Sequence, residues 1–189
     1  MNGASVHLEI VLAELAYLIA VANGDPAILN GPAGVGSHFE RDDVLEAGAN
    51  VQRERLAVLA SPEEVAVISG LFDTIGRLAA ASRGVLVVKD DDRPAVTMLY
   101  FTAADAALRV MIADGRSILT VSPEPLRIAA PASGVGQLVL GWYRPSGETP
   151  HMAVADGVVA YSDDGDDWRV GVDGERNDVA SALTRFVTG

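Results

Sequence analysis

Two stretches of the chain repeat one phrase. "GVLVVKDD" runs from Gly84 to Asp91, and "GVVAYSDD" from Gly157 to Asp164. Each opens on Gly-Val, climbs through apolar residues and breaks on paired aspartates, as a buried strand entering an acidic turn does. A second strand, a polar cap and an apolar-striped segment follow each copy. In the first, "AVTMLYF" leads to Thr102–Asp105 and then a predicted helix with Ala106, Leu108, Val110 and Met111, closed by Gly115. In the second, "WRVGV" leads to Asn177 or Asp178 and a helix carrying Val179, Ala182, Leu183 and Phe186. On this alignment Leu108 answers Leu183. A hairpin followed by a helix is also a common unit on its own. Read as a duplication, the pattern predicts an α+β fold with a central, mainly antiparallel sheet, flanking helices and quasi-twofold duplicated halves. The halves are roughly 1–121 and 134–189 of a single domain, 1–189, joined by a Pro-containing connector.

The remaining elements are read from periodicity and caps. A short strand near Val6 to Ile10 precedes "VLAELAYLIAVA", in which Leu12, Leu15, Ile19 and Ala22 recur at helical spacing until Asn23-Gly24-Asp25-Pro26. Asp43 with Glu46 predicts a capping box for a helix over Val44 to Leu59. Ser61-Pro62-Glu63-Glu64 has the same cap grammar, but "VAVISGLF" behind it alternates and is rich in β-formers; that stretch leans to strand, and helix against strand over 65–82 is left for tertiary context to decide. "SILTV", "GQLVLGWY", "HMAVA" and "GVVAYS" read as further strands.

Composition removes several function classes. With 26 Asp+Glu against 14 Lys+Arg, the formal charge is −12, a field that repels nucleic-acid backbones and anionic lipid. The chain has no cysteine, which removes disulfides, thiolate metal sites and a Cys nucleophile, and fits a reducing, cytoplasmic setting. The apolar N-terminus lacks a basic leader region and is interrupted by Glu9 and Glu14, so it is read as a folded element with no membrane insertion.

No residue cluster announces a chemistry. "NGPAGVGS" imitates a phosphate-binding loop through Gly31, Gly34, Gly36 and Ser37, but no lysine stands where one would reach the phosphates. Asp163, Asp164, Asp166 and Asp167 surround Gly165 as in a tight turn and lack the distal glutamate of a calcium loop. His7, His38 and His151 are far apart in sequence and have no partner at helical spacing. The expectation is a non-enzymatic protein without cofactor or metal. Leu138, Leu140 and Trp142 share one face of a strand, as do Val96, Met98 and Tyr100. A face or edge left uncovered by helices suits a protein partner, and Leu138, Leu140, Trp142 and Tyr143 are the candidate contact residues.

The order of these elements resembles the EspG chaperones of actinobacterial ESX (type VII) secretion. The likeness is carried by "LAVLASPEEVAV", "RLAAASRGVLVVKDDDRPAVTMLYFTAADAALRVMI", "GQLVLGWYRPSG" and "ADGVVAYSDDGDDWRVGV", with "LEIVLAELAYLIAVANGDP" as the opening strand and helix. The resemblance implies a quasi-twofold αβ fold and a cytosolic chaperone. Its clients would be secreted proline-glutamate/proline-proline-glutamate heterodimers, and no catalytic residue is implied. Where the family carries a long helical insertion, this chain has only "SPEPLRIAAPASGV". Two alternatives stand beside this reading: a degenerate nucleotide or small-ligand binder using Gly31–Ser37, and a structural homodimer pairing a sheet edge with its own copy.

Overall fold

The computed structural model describes residues 6–30, 37–82, 84–90, 96–102, 107–113, 116–122, 138–143, 150–155, 158–163, 169–170 and 186. Among them are strand β1 (Val6–Ile10), helix α1 (Leu12–Val21), a 3-10 turn (Pro26–Leu29), helix α2 (Asp42–Ala57) and helix α3 (Pro62–Ala80). Eight more strands follow: β2 (Val85–Asp90), β3 (Val96–Thr102), β4 (Ala107–Ala113), β5 (Arg116–Ser122), β6 (Leu138–Tyr143), β7 (His151–Ala155), β8 (Val158–Ser162) and β9 (Arg169–Val170). The class is α+β. All described strands join one antiparallel sheet in the order β1-β5-β4-β3-β2-β6-β7-β8-β9.

That order corrects the alignment of the two repeated phrases. β2–β5 and β6–β9 are successive meanders that meet edge to edge at β2 and β6, with Val85 opposite Tyr143 and Asp90 opposite Leu138. β2 pairs with β6, whereas β8 lies between β7 and β9. "GVLVVKDD" lies at the seam, whereas "GVVAYSDD" lies one strand in from the β9 edge. The predicted first closing helix is also corrected. Ala107–Ala113 is strand β4, because it completes hydrogen-bonded ladders with β3 on one side and β5 on the other. Those two ladders outweigh the helix preference of its Ala, Leu and Met residues. The Pro-containing connector and most of the last predicted helix lie outside the described residues; Phe186 is helical and buried.

The lean to strand for "VAVISGLF" is overturned as well: Val65–Phe72 lies inside α3, which runs to Ala80. The Ser61 hydroxyl accepts from Glu64 N at 3.2 Å, Glu64 Oε2 accepts from Ser61 N at 3.1 Å, and Pro62 opens the first turn. Phe72, Ile75, Gly76 and Ala79 then form one buried stripe at helical spacing. Local caps and the stripe outweigh the β-preference of the valines. In α2 the helix starts earlier than its predicted capping box. Arg41 is the N-cap and makes no side-chain cap bond, and its guanidinium instead pairs with Asp43 in the first turn, at 2.7 Å. The expected β1 and α1 are present, and Asn23 turns α1 off with a left-handed φ of 61°.

Two cores lie on opposite faces of the sheet. The first gathers Ile10, Leu15, Ile19, Phe72, Ile75, Val85, Val87, Leu99, Phe101, Val110 and Leu119 between helices and sheet. The second gathers Leu86, Val88, Leu140, Trp142, Met152, Val154, Val159 and Phe186. Alternate residues of β2 feed both.

Within the helical layer α1 is the common neighbour of α2 and α3, and two glycines set the spacing. A Cβ on Gly48 of α2 would lie 2.1 Å from the Ala13 carbonyl oxygen; one on Gly76 of α3 would lie 2.5 Å from that of Leu18. Neither backbone neighbour can yield cheaply. A buried ion pair reinforces the α2 contact. Glu14 is fully buried and receives Arg55 Nε at 3.1 Å and Nη2 at 3.0 Å, while the same Nη2 donates to the Glu9 carbonyl at 2.9 Å. One guanidinium thus ties α2 to α1 and β1.

Two predictions follow from this packing. Gly48→Ala and Gly76→Ala each destabilise by about 1–3 kcal/mol through overpacking. Gly70→Ala, where a Cβ meets open space, stabilises α3 by about 1 kcal/mol; urea unfolding monitored by circular dichroism checks all three. Arg55→Ala strands the Glu14 carboxylate and costs about 3–5 kcal/mol, and replacing both partners by apolar residues of similar volume recovers most of that loss.

Candidate functional site

The strand chosen from sequence as a contact surface is largely interior. Leu140 and Trp142 are 1% and 2% exposed and belong to the second core. In the folded chain they leave almost no surface for a partner, because β6 sits between β2 and β7 with its inward face covered. Tyr143 is half-buried against the first core, and burial pushes its phenol above the ordinary value of 10.0. Leu138 is in β6; its side chain lies outside the described residues. Through the register with β2, Met98 and Tyr100 face the same way as Leu140 and Trp142, and they pack at the margin of the second core. Beyond them the register continues through Met111 of β4 to Ile118 of β5, which is 37% exposed. Tyr100 pairs across the ladder with Arg109; burial raises its phenol pKa and the guanidinium opposes the rise.

Asn30, which precedes the imitation phosphate loop in sequence, bonds to Phe39 and Glu40, which follow it. Asn30 Nδ2 donates to Glu40 Oε2 at 2.7 Å, and Asn30 Oδ1 accepts from Phe39 N at 2.7 Å. The Glu40 carboxyl is held below its ordinary value of 4.5 chiefly by the Asn30 bond. Residues 31–36 lie outside the described set, as do Asp164, Asp166 and Asp167. Among the described residues no group of three or more His, Asp or Glu could hold a metal, and no helix is long and apolar enough to cross a membrane. His38 lies 3.4 Å from Glu40, and His151 stands in β7 far from it in the sequence. The His151 Nδ1 atom is buried and without a hydrogen-bond partner.

A concave site lies in the helical layer, where sequence analysis placed none. It is lined by Tyr17, Leu18 and Val21 of α1, Gln52 of α2, and Phe72, Asp73, Gly76 and Arg77 of α3; Leu18 and Phe72, 4% and 1% exposed, contribute little surface to it. It encloses about 380 Å³ and is open to solvent along one side. Ligand pockets run from about 300 to 1,000 Å³. Val21 is 58% exposed at its rim. The groove exists because Gly48 and Gly76 let α2 and α3 close on α1 without side chains between the backbones. Its polar lining is uncommitted: among the described residues the Asp73 carboxylate and the Gln52 amide have no hydrogen-bond partner, and Arg77 uses only Nε, which donates to the Asp73 carbonyl at 3.2 Å. The sequence signal for this site was small. The helical stripe with Gly76 would have marked it had 65–82 been read as helix.

The sheet edges offer less. β1 and β9 are the outer strands of the described sheet. Arg55 takes up the Glu9 carbonyl, a backbone acceptor on the β1 strand, and so blunts that edge. Compared with protein-family models, with curated proteins and with solved structures, the chain finds no match.

The Asn30–Glu40 bond makes a prediction about pH. Because the Glu40 carboxyl is lowered in the folded chain, its contribution to that bond is present above the ordinary glutamate value and is lost as pH falls through the lowered folded value. Carboxyl carbon NMR titration of Glu40 should give a midpoint below 4.5, and Asn30→Ala should return it toward 4.5.

Proposed function

We propose that this protein is a non-catalytic, cytosolic chaperone or adaptor of the EspG-like kind, binding secreted helical clients of a type VII-like system. The observation that supports the reading best is the groove of the α1–α2–α3 layer. It is a concave surface that presents the exposed Val21, Asp73 and Arg77 with part-buried Tyr17 and Gln52, and the Asp73 carboxylate and Gln52 amide have no side-chain hydrogen bond among the described residues. A concave surface that leaves such groups free, beside exposed Val21, suits another macromolecule.

The α+β architecture is compatible with the resemblance. Strand β4 departs from it, since the family pattern has a helix after the "GVLVV" hairpin. The open face beyond Met98, through Met111 and Ile118, is a second apolar area that a client of standard size would have room to reach. Nothing in the described residues favours the nucleotide reading, and the Gly31–Ser37 stretch carries no lysine to meet a phosphate.

Co-expression with proline-glutamate/proline-proline-glutamate heterodimers followed by size-exclusion chromatography tests the reading. Co-elution as a stable complex is expected. Separate elution of the protein and every heterodimer tried would overturn it.

A further inference from the structure

We infer that α2 is a hinged cover over α1 that opens as one unit, with the Arg55–Glu14 pair as its latch. The inference concerns the helical layer itself and stands whether or not the client-binding reading does.

Anchorage separates α2 from the other two helices. α1 meets both α2 and α3, and α3 also lies on β3 and β4, whereas α2 rests chiefly on α1. α1 buries Glu14, Leu15, Ala16, Leu18 and Ile19, and α3 buries Phe72, Ile75, Gly76 and Ala79. In α2 only Gly48 is buried. Leu45 and Leu56 are partly buried against the first core, and half of the helix is exposed. A helix attached by one narrow seam gives up little apolar contact on leaving. Segments of that kind open locally, below the free energy of global unfolding.

The limits of the moving unit are marked on both sides. Before α2, Asn30 accepts from Phe39 N and donates to Glu40 Oε2, each at 2.7 Å. After it, Glu64 Oε2 accepts from Ala60 N at 2.9 Å and from Ser61 N at 3.1 Å. The backbone between these anchors and the helix is looser. Arg41 N donates to the His38 carbonyl at 3.4 Å and Leu59 N to that of Leu56 at 3.3 Å, both longer than the usual distance of about 2.9 Å. Val58, between the helix and the second anchor, is well exposed. An opening hinged there leaves both anchors intact.

One side chain holds the cover down. Among the described residues Arg55 makes every side-chain hydrogen bond that links α2 to another element, two to the Glu14 carboxylate and one to the Glu9 carbonyl. Arg41 with Asp43, and Arg53 with Asn50, pair within the same segment. With α2 closed, the Glu14 carboxylate has no exposure, and Arg55 is what meets its charge. With α2 open, water reaches both charges. The penalty for an unpaired Glu14 therefore falls on the closed state alone. Removing the pair shifts α2 toward open and leaves the approach of α3 to α1 at Gly76 untouched.

Native-state hydrogen exchange on the full chain tests the inference. In the wild type, amides 46–56 of α2 should exchange as a group, at least about ten-fold faster than amides 72–79 of α3 after correction for intrinsic rates. Their urea dependence should be weaker, because opening exposes less surface than unfolding. Arg55→Lys keeps the charge but loses the planar fork that holds both Glu14 oxygens, and should speed exchange of 46–56 by about ten-fold more. Arg55→Ala should leave 46–56 close to unprotected while 72–79 stays protected. Exchange of 46–56 at the rate and urea dependence of 72–79 overturns the inference. So does protection of 46–56 unmoved by Arg55→Lys, or an Arg55→Ala variant that releases all three helices together. Should Arg55→Ala aggregate, the wild type and Arg55→Lys decide.

Discussion

The run Val85–Val88 is the constraint on which the architecture turns. Four consecutive apolar residues cannot lie on a strand with one wet face, because successive side chains point to opposite sides. β2 must be covered twice, and it is: Val85 and Val87 enter the core under the helices, while Leu86 and Val88 enter the core built with β6 and β7. That double burial places β2 at the seam of the two meanders and requires a strand on each flank, β3 and β6. The helices then have one place to pack, over β2–β5, and the second core forms on the other side.

On the helical side, close approach rather than bulk holds the layer. Gly48 and Gly76 bring backbone onto backbone at α1, and Arg55 converts the α2 contact into a bidentate, buried link that also reaches β1. Charge buried this way is poor evidence of stability but good evidence of a fixed arrangement, since either partner alone is costly. The same approach leaves α2 and α3 standing as ridges on either side of α1. The groove is thus a by-product of tight packing, and its free polar groups lie on positions the core does not need.

Legibility of the site followed legibility of the elements. Strand alternation put Leu140 and Trp142 on one face of their strand and Met98 and Tyr100 on one face of theirs, and the register through β2 makes these the same face of the sheet. Whether that face was wet depended on Val154, Val159 and Phe186 arriving from far along the chain, and they bury Leu140 and Trp142. The groove residues come from three helices separated by loops, and one of those helices looked like a strand. Its Ser61–Glu64 box was visible in the sequence, and the alternation behind it masked the helical stripe of Phe72, Ile75, Gly76 and Ala79.

By itself the sequence determined the strands whose apolar content leaves no choice, β2, β3 and β6, together with α1 and the stops at Asn23–Pro26. Local caps determined where α3 begins. Tertiary structure alone decided that Ala107–Ala113 is a strand, because a segment of helix-forming residues gains two complete ladders by lying between β3 and β5. It also decided which repeated phrase sits at the seam and which near the edge. Those outcomes depend on non-local pairing, which no window of neighbouring residues contains.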